Sequence, residues 1–404
     1  MELTAIYRCV AALDVHQSKL TVCILYENES GEIITELKEF GGFKRDRRAM
    51  ADWVVSFQPE LVVMESTGIY WKSPYAALEN QGLTIWVVNA RHVKQVPGRK
   101  TDFADAQWLA ILARNGLLRG GFVPPAVFRE LRLIARQMQK LTGILSGEKN
   151  RLHKILSDGG IRLGVVVSDI HGKSAKAMIK GLLAGESPEQ VLKYASNRLK
   201  ASEEELLDAL AGDLSPSHQF VLTELMAHID ELEARIETFR QALLQGLAPY
   251  QAILRSLQTI PGLDEAGAAL LLVEIGDDMS AFGTPERLAS WAGVCPGNNE
   301  SAGKKKTGKT RKGNPYVRRI LCEASNAASR TQCRLQDMFK GLLIRRGRKR
   351  AIFALAHKIL KIVFLLIERG DYYRDATVDY EKLSVQRNAP RWIKTLKKYG
   401  YIAA

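Results

Sequence analysis

Apolar and β-branched positions cluster over residues 10–14, 20–25 and 32–40, most densely in the second run, with short polar turns between them, which predicts three successive strands. Phe43, Met50, Trp53, Val54 and Phe57 then recur at helical spacing. Glu60 to Met64 is a short apolar run that ends in Glu65. Ser73-Pro74 can open a helix, with Ser73 as cap and Pro74 in its first turn. Leu83 to Val88 reads as a further strand. Pro97-Gly98 stops what precedes it, and Thr101 can cap a helix that opens with Asp102 and Asp105 and continues through Trp108, Leu109 and Leu112.

Three strands, helix, strand, helix, strand, helix is the element order of an α/β ribonuclease-H-like fold. That fold sets the first strand beside the fourth at the centre of a mixed sheet. Asp14 and Glu65 would then emerge at neighbouring strand ends, where open α/β sheets bind ligands. A helix across that edge would add Asp102 and Asp105, which share one helix face at i, i+3. Taken alone, Asp-x-x-Asp is equally a helix-start pattern. Four converging carboxylates need cations, and hard oxygen donors suit Mg²⁺ or Mn²⁺. Two such ions would clamp the attacking and leaving oxygens of a phosphodiester.

Pro124-Pro125 closes this first domain, 1–125. Beyond it, Leu131, Ile134, Met138, Leu141, Leu145, Leu152 and Ile155 form one heptad seam, interrupted by Glu148, and Leu222, Leu225, Ile229, Leu232, Ile236, Phe239 and Leu243 form another. Both fall in a helical, coiled-coil middle, 126–250. They can pair as an antiparallel hairpin within the chain or as an oligomerisation arm between chains. Shorter helical patterns lie between them, around 175–183, 188–199 and 203–210. The third segment, 251–404, is mainly helical. In it, Ile260-Pro261-Gly262 before a small-residue helix reads either as half of a phosphate-binding helix-hairpin-helix or as a plain buried helix.

Charge alters the picture in one place. The chain carries +14, and the window 296–350 holds sixteen Lys and Arg against Glu300, Glu323 and Asp337. Such concentration is the footprint of a polyanion, most often nucleic acid. Its glycine-punctuated loop bears Lys304, Lys305, Lys306, Lys309, Arg311 and Lys312, and Arg318 and Arg319 follow on a helix. With Arg99 and Lys100, these are the candidate phosphate contacts. Ser301 sits just before three lysines that would neutralise a developing oxyanion, although a lone serine is more often solvated. Five scattered cysteines without a CxxC pair suggest reduced thiols rather than disulfides or a zinc knuckle. There is no secretory pattern at the N-terminus, and the apolar stretch from Ala351 to Ile367 is broken by His357, Lys358 and Lys361. A cytoplasmic protein with no membrane association is expected.

Leu13-Asp14-Val15-His16, Met64-Glu65-Ser66-Thr67-Gly68, Val96-Pro97-Gly98-Arg99-Lys100-Thr101-Asp102-x-x-Asp105-Ala106, Ile260-Pro261-Gly262, Ala292-Gly293-x-x-Pro296 and Ser301-x-Gly303-Lys304 together resemble the DEDD transposases of bacterial insertion sequences, the insertion sequence one-ten family. The resemblance covers about residues 10–120 and 255–365, and the middle only in length and helical character. It implies a RuvC-like domain whose acids, here Asp14, Glu65, Asp102 and Asp105, bind Mg²⁺. It also implies a C-terminal transposase domain with a nucleophilic serine, here Ser301. Further implications are donor and target DNA as partners, a structured guide RNA, a dimer or tetramer, and work on the nucleoid. Glu300 stands where many relatives have another serine, and Ala302 replaces the more usual glycine.

Three rivals fit less well. A junction resolvase on the same fold would use the acids and water without a serine. A sugar-kinase or actin-like ATPase wants glycine where His16 stands, and a second such hairpin. A non-catalytic nucleic-acid binder gives the acids no purpose. His16 is expected to be a turn residue; the other six histidines show no ligand spacing, and Trp71 and Trp108 are expected in the core.

Overall fold

The computed structural model describes residues 5–66, 68–89, 102–296, 299–301, 304–307, 310, 312–375 and 380–402; for 102–104, 299–301, 304–307, 380–384 and 387 it describes the backbone alone. The chain divides into two compact units, Met1–Val123 and Pro124–Ala404.

In the first unit the three predicted runs become β1 (Cys9–Val15), β2 (Lys19–Glu27) and β3 (Ile33–Gly41). They are followed by α1 (Lys44–Ser56), β4 (Leu61–Glu65), α2 (Lys72–Glu79), β5 (Ile85–Val88) and α3 (Asp102–Arg114). The five strands form one sheet in the order β3-β2-β1-β4-β5. β1, β2 and β3 pair antiparallel, whereas β4 runs parallel to β1 and β5 parallel to β4. This is the ribonuclease-H-like arrangement that the element order predicts. Side chains of a strand alternate between its two faces, and each face has its own core. Val10, Ala12, Cys23, Leu25, Leu61 and Val63 pack against Leu109, Ala110 and Ala113 of α3. Ala11, Leu13, Val15, Val22, Ile24, Val62 and Met64 pack against Met50 and Val54 of α1 and Leu78 of α2.

Two local expectations change. Phe43 is exposed, because it is the N-cap of α1 rather than part of its apolar stripe. α2 begins at Lys72, before Ser73, because the turn at Ile69 already accepts the Lys72 N–H and leads straight into the helix. Pro74 still falls in the first turn, where a missing N–H costs nothing.

Among its described residues the second unit is helical apart from one small hairpin. α4 (Ala126–Asp158) and α7 (Pro216–Gly246) carry the two heptad seams, and α5 (Lys173–Leu183) and α6 (Glu203–Leu210) lie between them in sequence. The seams pair with each other within the chain. Gly246 lies against Leu131, and His218 Nε2 is 3.2 Å from Asp158 Oδ2, so the helices run antiparallel. Leu152, Leu156, Leu222, Leu225, Met226 and Ile229 form a core with Met178 and Ile179 of α5 and Leu206 of α6. α8 (Gln251–Gln258), α9 (Glu265–Ile275) and α10 (Pro285–Ala292) follow. β6 (Asn299–Ser301) and β7 (Lys304–Thr307) pair antiparallel in the basic segment. α11 (Pro315–Ala328), α12 (Arg334–Arg346), α13 (Arg348–Arg369) and α14 (Tyr380–Lys398) complete the unit. Among the described residues no helix is long and apolar enough to cross a membrane.

Gly262 has φ of 87°, and a Cβ there would strike Ala324 and Ala328 of α11. Its turn is therefore a packing contact between helices, and Asp264 caps α9 by accepting from the Gly267 N–H at 2.8 Å. Of the two expectations for this stretch, the buried helix holds: Ala268, Leu271, Leu272, Val273 and Ile275 are buried.

One charge is buried with them. Glu274 is fully buried, and Arg136 of α4 donates to both its oxygens at 2.8 and 2.9 Å. Arg132 Nε is 3.4 Å from the carboxylate, and its guanidinium donates to the carbonyls of Val273 and Glu274. Burial pushes the Glu274 carboxyl up, but the Arg136 hydrogen bond, both guanidinium charges and the Asn314 amide together hold it below the ordinary value. Burial lowers Arg132 to about 10 against the opposing pull of Glu274, so it remains charged at neutral pH.

Leu13→Ala, at a fully buried position of β1, is expected to lose about 2–5 kcal/mol of stability in urea unfolding. Glu274→Ala leaves two guanidinium groups facing a cavity and is expected to lose about 3–5 kcal/mol. Because the folded carboxyl is depressed, its contribution is complete above the unfolded value of 4.5 and is lost as pH falls through the folded value. Wild-type stability should therefore fall below pH 4.5, and Glu274→Gln should show less of that fall.

Candidate active site and basic hairpin

Asp14 is the sixth residue of β1, and Glu65 is the last of β4. Leu13 pairs with Met64 in the parallel register, so Asp14 and Glu65 stand side by side on strands about 4.8 Å apart. Asp14 shares the side-chain parity of Val10 and Ala12, and Glu65 that of Leu61 and Val63. Both belong to the face covered by α3.

The direction of α3 decides the rest. The Ile6 N–H donates to the Arg114 carbonyl at 2.9 Å, and Arg114 Nη2 pairs with Glu27 at 3.2 Å. The last turn of the helix is thus fixed beside the start of β1 and the end of β2. Thirteen helical residues rise about 20 Å, close to the length of β1. The first turn of α3, with Asp102 and Asp105, therefore lies toward the end of the sheet that carries Asp14 and Glu65. Asp105 is exposed, next to the buried Ala106. The Asp102 side chain, Arg99 and Lys100 lie outside the described residues.

The Asp14 side chain is only 18% exposed, and His16 Nε2 lies 3.1 Å from its Oδ2. The His16 N–H closes the β1–β2 turn by donating to the Lys19 carbonyl at 3.0 Å. His16 is thus a turn residue whose ring also touches the acid. Register neighbour Thr21 is buried and donates to Glu39 at 3.4 Å. Trp71 and Trp108 are partly buried against the two cores.

Paired carboxylates on one strand-end face are hard oxygen donors of the kind a divalent cation takes. Asp14 and Glu65 fit such an ion by their chemistry and by the shielding of Asp14. Among the described residues no three acidic, His or Cys side chains stand together as a ready metal group.

In the second unit, Ser301 ends β6 and Lys304, Lys305 and Lys306 lie on β7, described by backbone alone. Ser301 pairs in register with Lys304 and Glu300 with Lys305. Lys309 and Arg311 lie outside the described residues, and Lys312 is exposed. Arg319 is exposed and pairs with Glu323 at 2.9 Å, while Arg318 lies 5.2 Å from the Phe353 ring. Arg318 is thus partly committed to packing. Arg345, Arg346, Arg348, Lys349 and Arg350 form an exposed basic corner between α12 and α13. A groove of about 780 Å³ between α12, α13 and α14 contains none of the candidate residues. Sequence reasoning missed Glu274, Arg132, Arg136 and Asn314, whose only signal is a single acid inside an apolar helix and arginines at helical spacing on α4.

Comparison with known proteins matches two stretches of the chain. A DEDD transposase model of the IS110 type matches residues 11–159, and a model described as "Transposase IS116/IS110/IS902 family" matches residues 254–340. A probable family 20 transposase of Pseudomonas aeruginosa is 26% identical over 340 residues, covering 81% of this chain and 90% of that protein. The transposase for insertion sequence element IS1111A of Coxiella burnetii is 24% identical, covering 82% of this chain and 84% of that protein. Among solved structures, Thermus thermophilus RuvC is 16% identical and covers 28% of this chain and 99% of its own, with a TM-score of 0.23. With the sheet and its acids in the part matched by the first model, and the hairpin and its lysines in the part matched by the second, the chain belongs to the IS110 family of DEDD transposases.

Proposed function

We propose that the protein cuts and rejoins DNA strands through a serine-linked intermediate, with Ser301 as nucleophile and Asp14, Glu65, Asp102 and Asp105 as the acidic centre. The observation that carries this is the placement of Asp14 and Glu65, side by side on one sheet face at the end toward which α3 begins. Lys304, opposite Ser301 in register and followed by Lys305 and Lys306, supports the second half.

Chemically, the Ser301 oxygen attacks a DNA phosphorus, and its proton passes to a carboxylate. The bond from phosphorus to one deoxyribose oxygen breaks, and that oxygen leaves protonated. A phosphoserine link conserves the bond energy, so a second strand is joined by the reverse attack of a DNA hydroxyl without ATP. Asp14, Glu65, Asp102 and Asp105 would hold Mg²⁺ or Mn²⁺, which when bound stabilises charge on the phosphoryl oxygens. Lys304, Lys305, Lys306, Lys309, Arg311 and Lys312, with Arg99, Lys100, Arg318 and Arg319, neutralise the phosphate backbone of donor and target DNA. A guide RNA encoded by the element would select those DNAs, and the working form is a homo-oligomer.

The test is to incubate the purified protein, with the RNA that copurifies, with Mg²⁺ and DNA carrying the element's junction, and to look for a protein-DNA adduct. An adduct in the wild type that is lost in Ser301→Ala and in Asp14→Asn, while DNA binding is retained, is the expected outcome. Cleavage without an adduct, unaffected by Ser301→Ala, would instead mark a hydrolytic junction nuclease. The acids and the serine belong to separate units of the chain. Mixing Asp14→Asn with Ser301→Ala protein is therefore expected to restore part of the activity if one centre draws on two subunits. No restoration at any ratio would place both halves in one subunit.

A further inference from the structure

The basic hairpin leaves α10 at Gly293, which is left-handed with φ of 73°, and returns to α11 at Asn314. Its two ends meet. A Cβ on Gly313 would strike the backbone of Ala292 and Gly293, so the returning strand lies directly on the departing one. Asn314 is then held at both ends of its amide. Its Oδ1 accepts the Tyr316 and Val317 N–H groups at 2.9 and 3.2 Å, capping α11. Its Nδ2 donates to Glu274 Oε2 at 2.7 Å. Glu274 is fixed in turn by Arg136, whose guanidinium also lies 4.4 Å from the Tyr316 ring, and by Arg132.

A helix cap needs no buried carboxylate behind it. Packing α4, α9 and α11 together would be served at least as well by apolar side chains, since a buried ion pair rarely adds net stability. What a buried, multiply bonded charge does supply is direction, because moving it breaks several hydrogen bonds at once. Here the direction is imposed on a single amide at the foot of the hairpin.

We infer that Glu274 is a positioning residue, which acts through Asn314 to set the foot of the hairpin that carries Ser301. This rests on the reading of Ser301 as nucleophile. Glu274 touches no reacting atom; it fixes where β6 and β7 project from the helical body.

Glu274→Ala threatens folding, so the decisive variant is Asn314→Asp. It keeps an oxygen to cap α11 but replaces the amide donor with a second acid facing Glu274. The charged groups around that pair are Arg129, Arg132 and Arg136 from α4, and the Tyr316 ring of α11 packs on Arg136. Two carboxylates at this distance share a proton, and only the protonated pair restores the contact. The rate of adduct formation on junction DNA should fall about tenfold at neutral pH relative to wild type. It should recover as pH is lowered toward 5, with DNA affinity little changed. Asn314→Ser, which caps α11 but cannot reach Glu274, should lose rate without that recovery. Hydrogen exchange of amides 299–307 should quicken in both variants. This last measurement needs no chemistry, so it holds or fails separately from the role of Ser301. An Asn314→Asp profile parallel to wild type, or unchanged exchange at 299–307, overturns the proposal and leaves Glu274 as packing.

Discussion

The chemistry proposed for the first unit depends on the register of one parallel pair. Leu13 opposite Met64 puts Asp14 beside Glu65. A slip of one residue would turn one acid to the opposite face and drive the apolar set of that strand out of its core. The register is held by both cores at once. Ala11, Leu13, Val62 and Met64 are locked against α1 and α2, and Val10, Ala12, Leu61 and Val63 against α3. Two buried faces over-determine where the polar strand ends must be, and this is how a sheet of ordinary aliphatic residues keeps two like charges side by side.

The second unit solves a different problem. Among its described residues it has no large sheet to fix a site, but helices and a two-stranded hairpin. It uses length instead: α4 and α7 pair antiparallel, and the same α4 that seals the seam with Leu131 and Met138 sends Arg132 and Arg136 from its flank to α9. One helix thus contributes both apolar adhesion and polar orientation, from different stripes of its surface.

Much of this was legible in the sequence because the governing physics is local. Short runs rich in apolar and β-branched residues, set off by polar turns, marked β1, β2 and β3, and a short apolar run ending in an acid marked β4. The 3.6 periodicity marked α3, α4 and α7. What failed locally was capping: Phe43 entered the apolar stripe of α1 although it precedes the helix, and Ser73 was credited with a start that the preceding turn already made. What could not be read was long range. Glu274 has its partners 138 residues upstream at Arg136 and 40 downstream at Asn314, and no periodicity connects them. Gly262 resembled a phosphate-binding turn because glycine signals only that a Cβ is unwelcome, not whether a phosphate or the backbone of α11 is what approaches. The choice between intrachain and interchain pairing of the two seams was likewise open until the structure joined them within one chain.

The contact of Gly313 with Ala292 and Gly293 makes the twenty or so residues between them topologically a detour. The helical body closes beneath the hairpin whatever the detour contains. Residues within it can therefore change, lengthen or shorten while the fold underneath persists, so the segment with the highest density of positive charge is also the one whose variation the scaffold tolerates most.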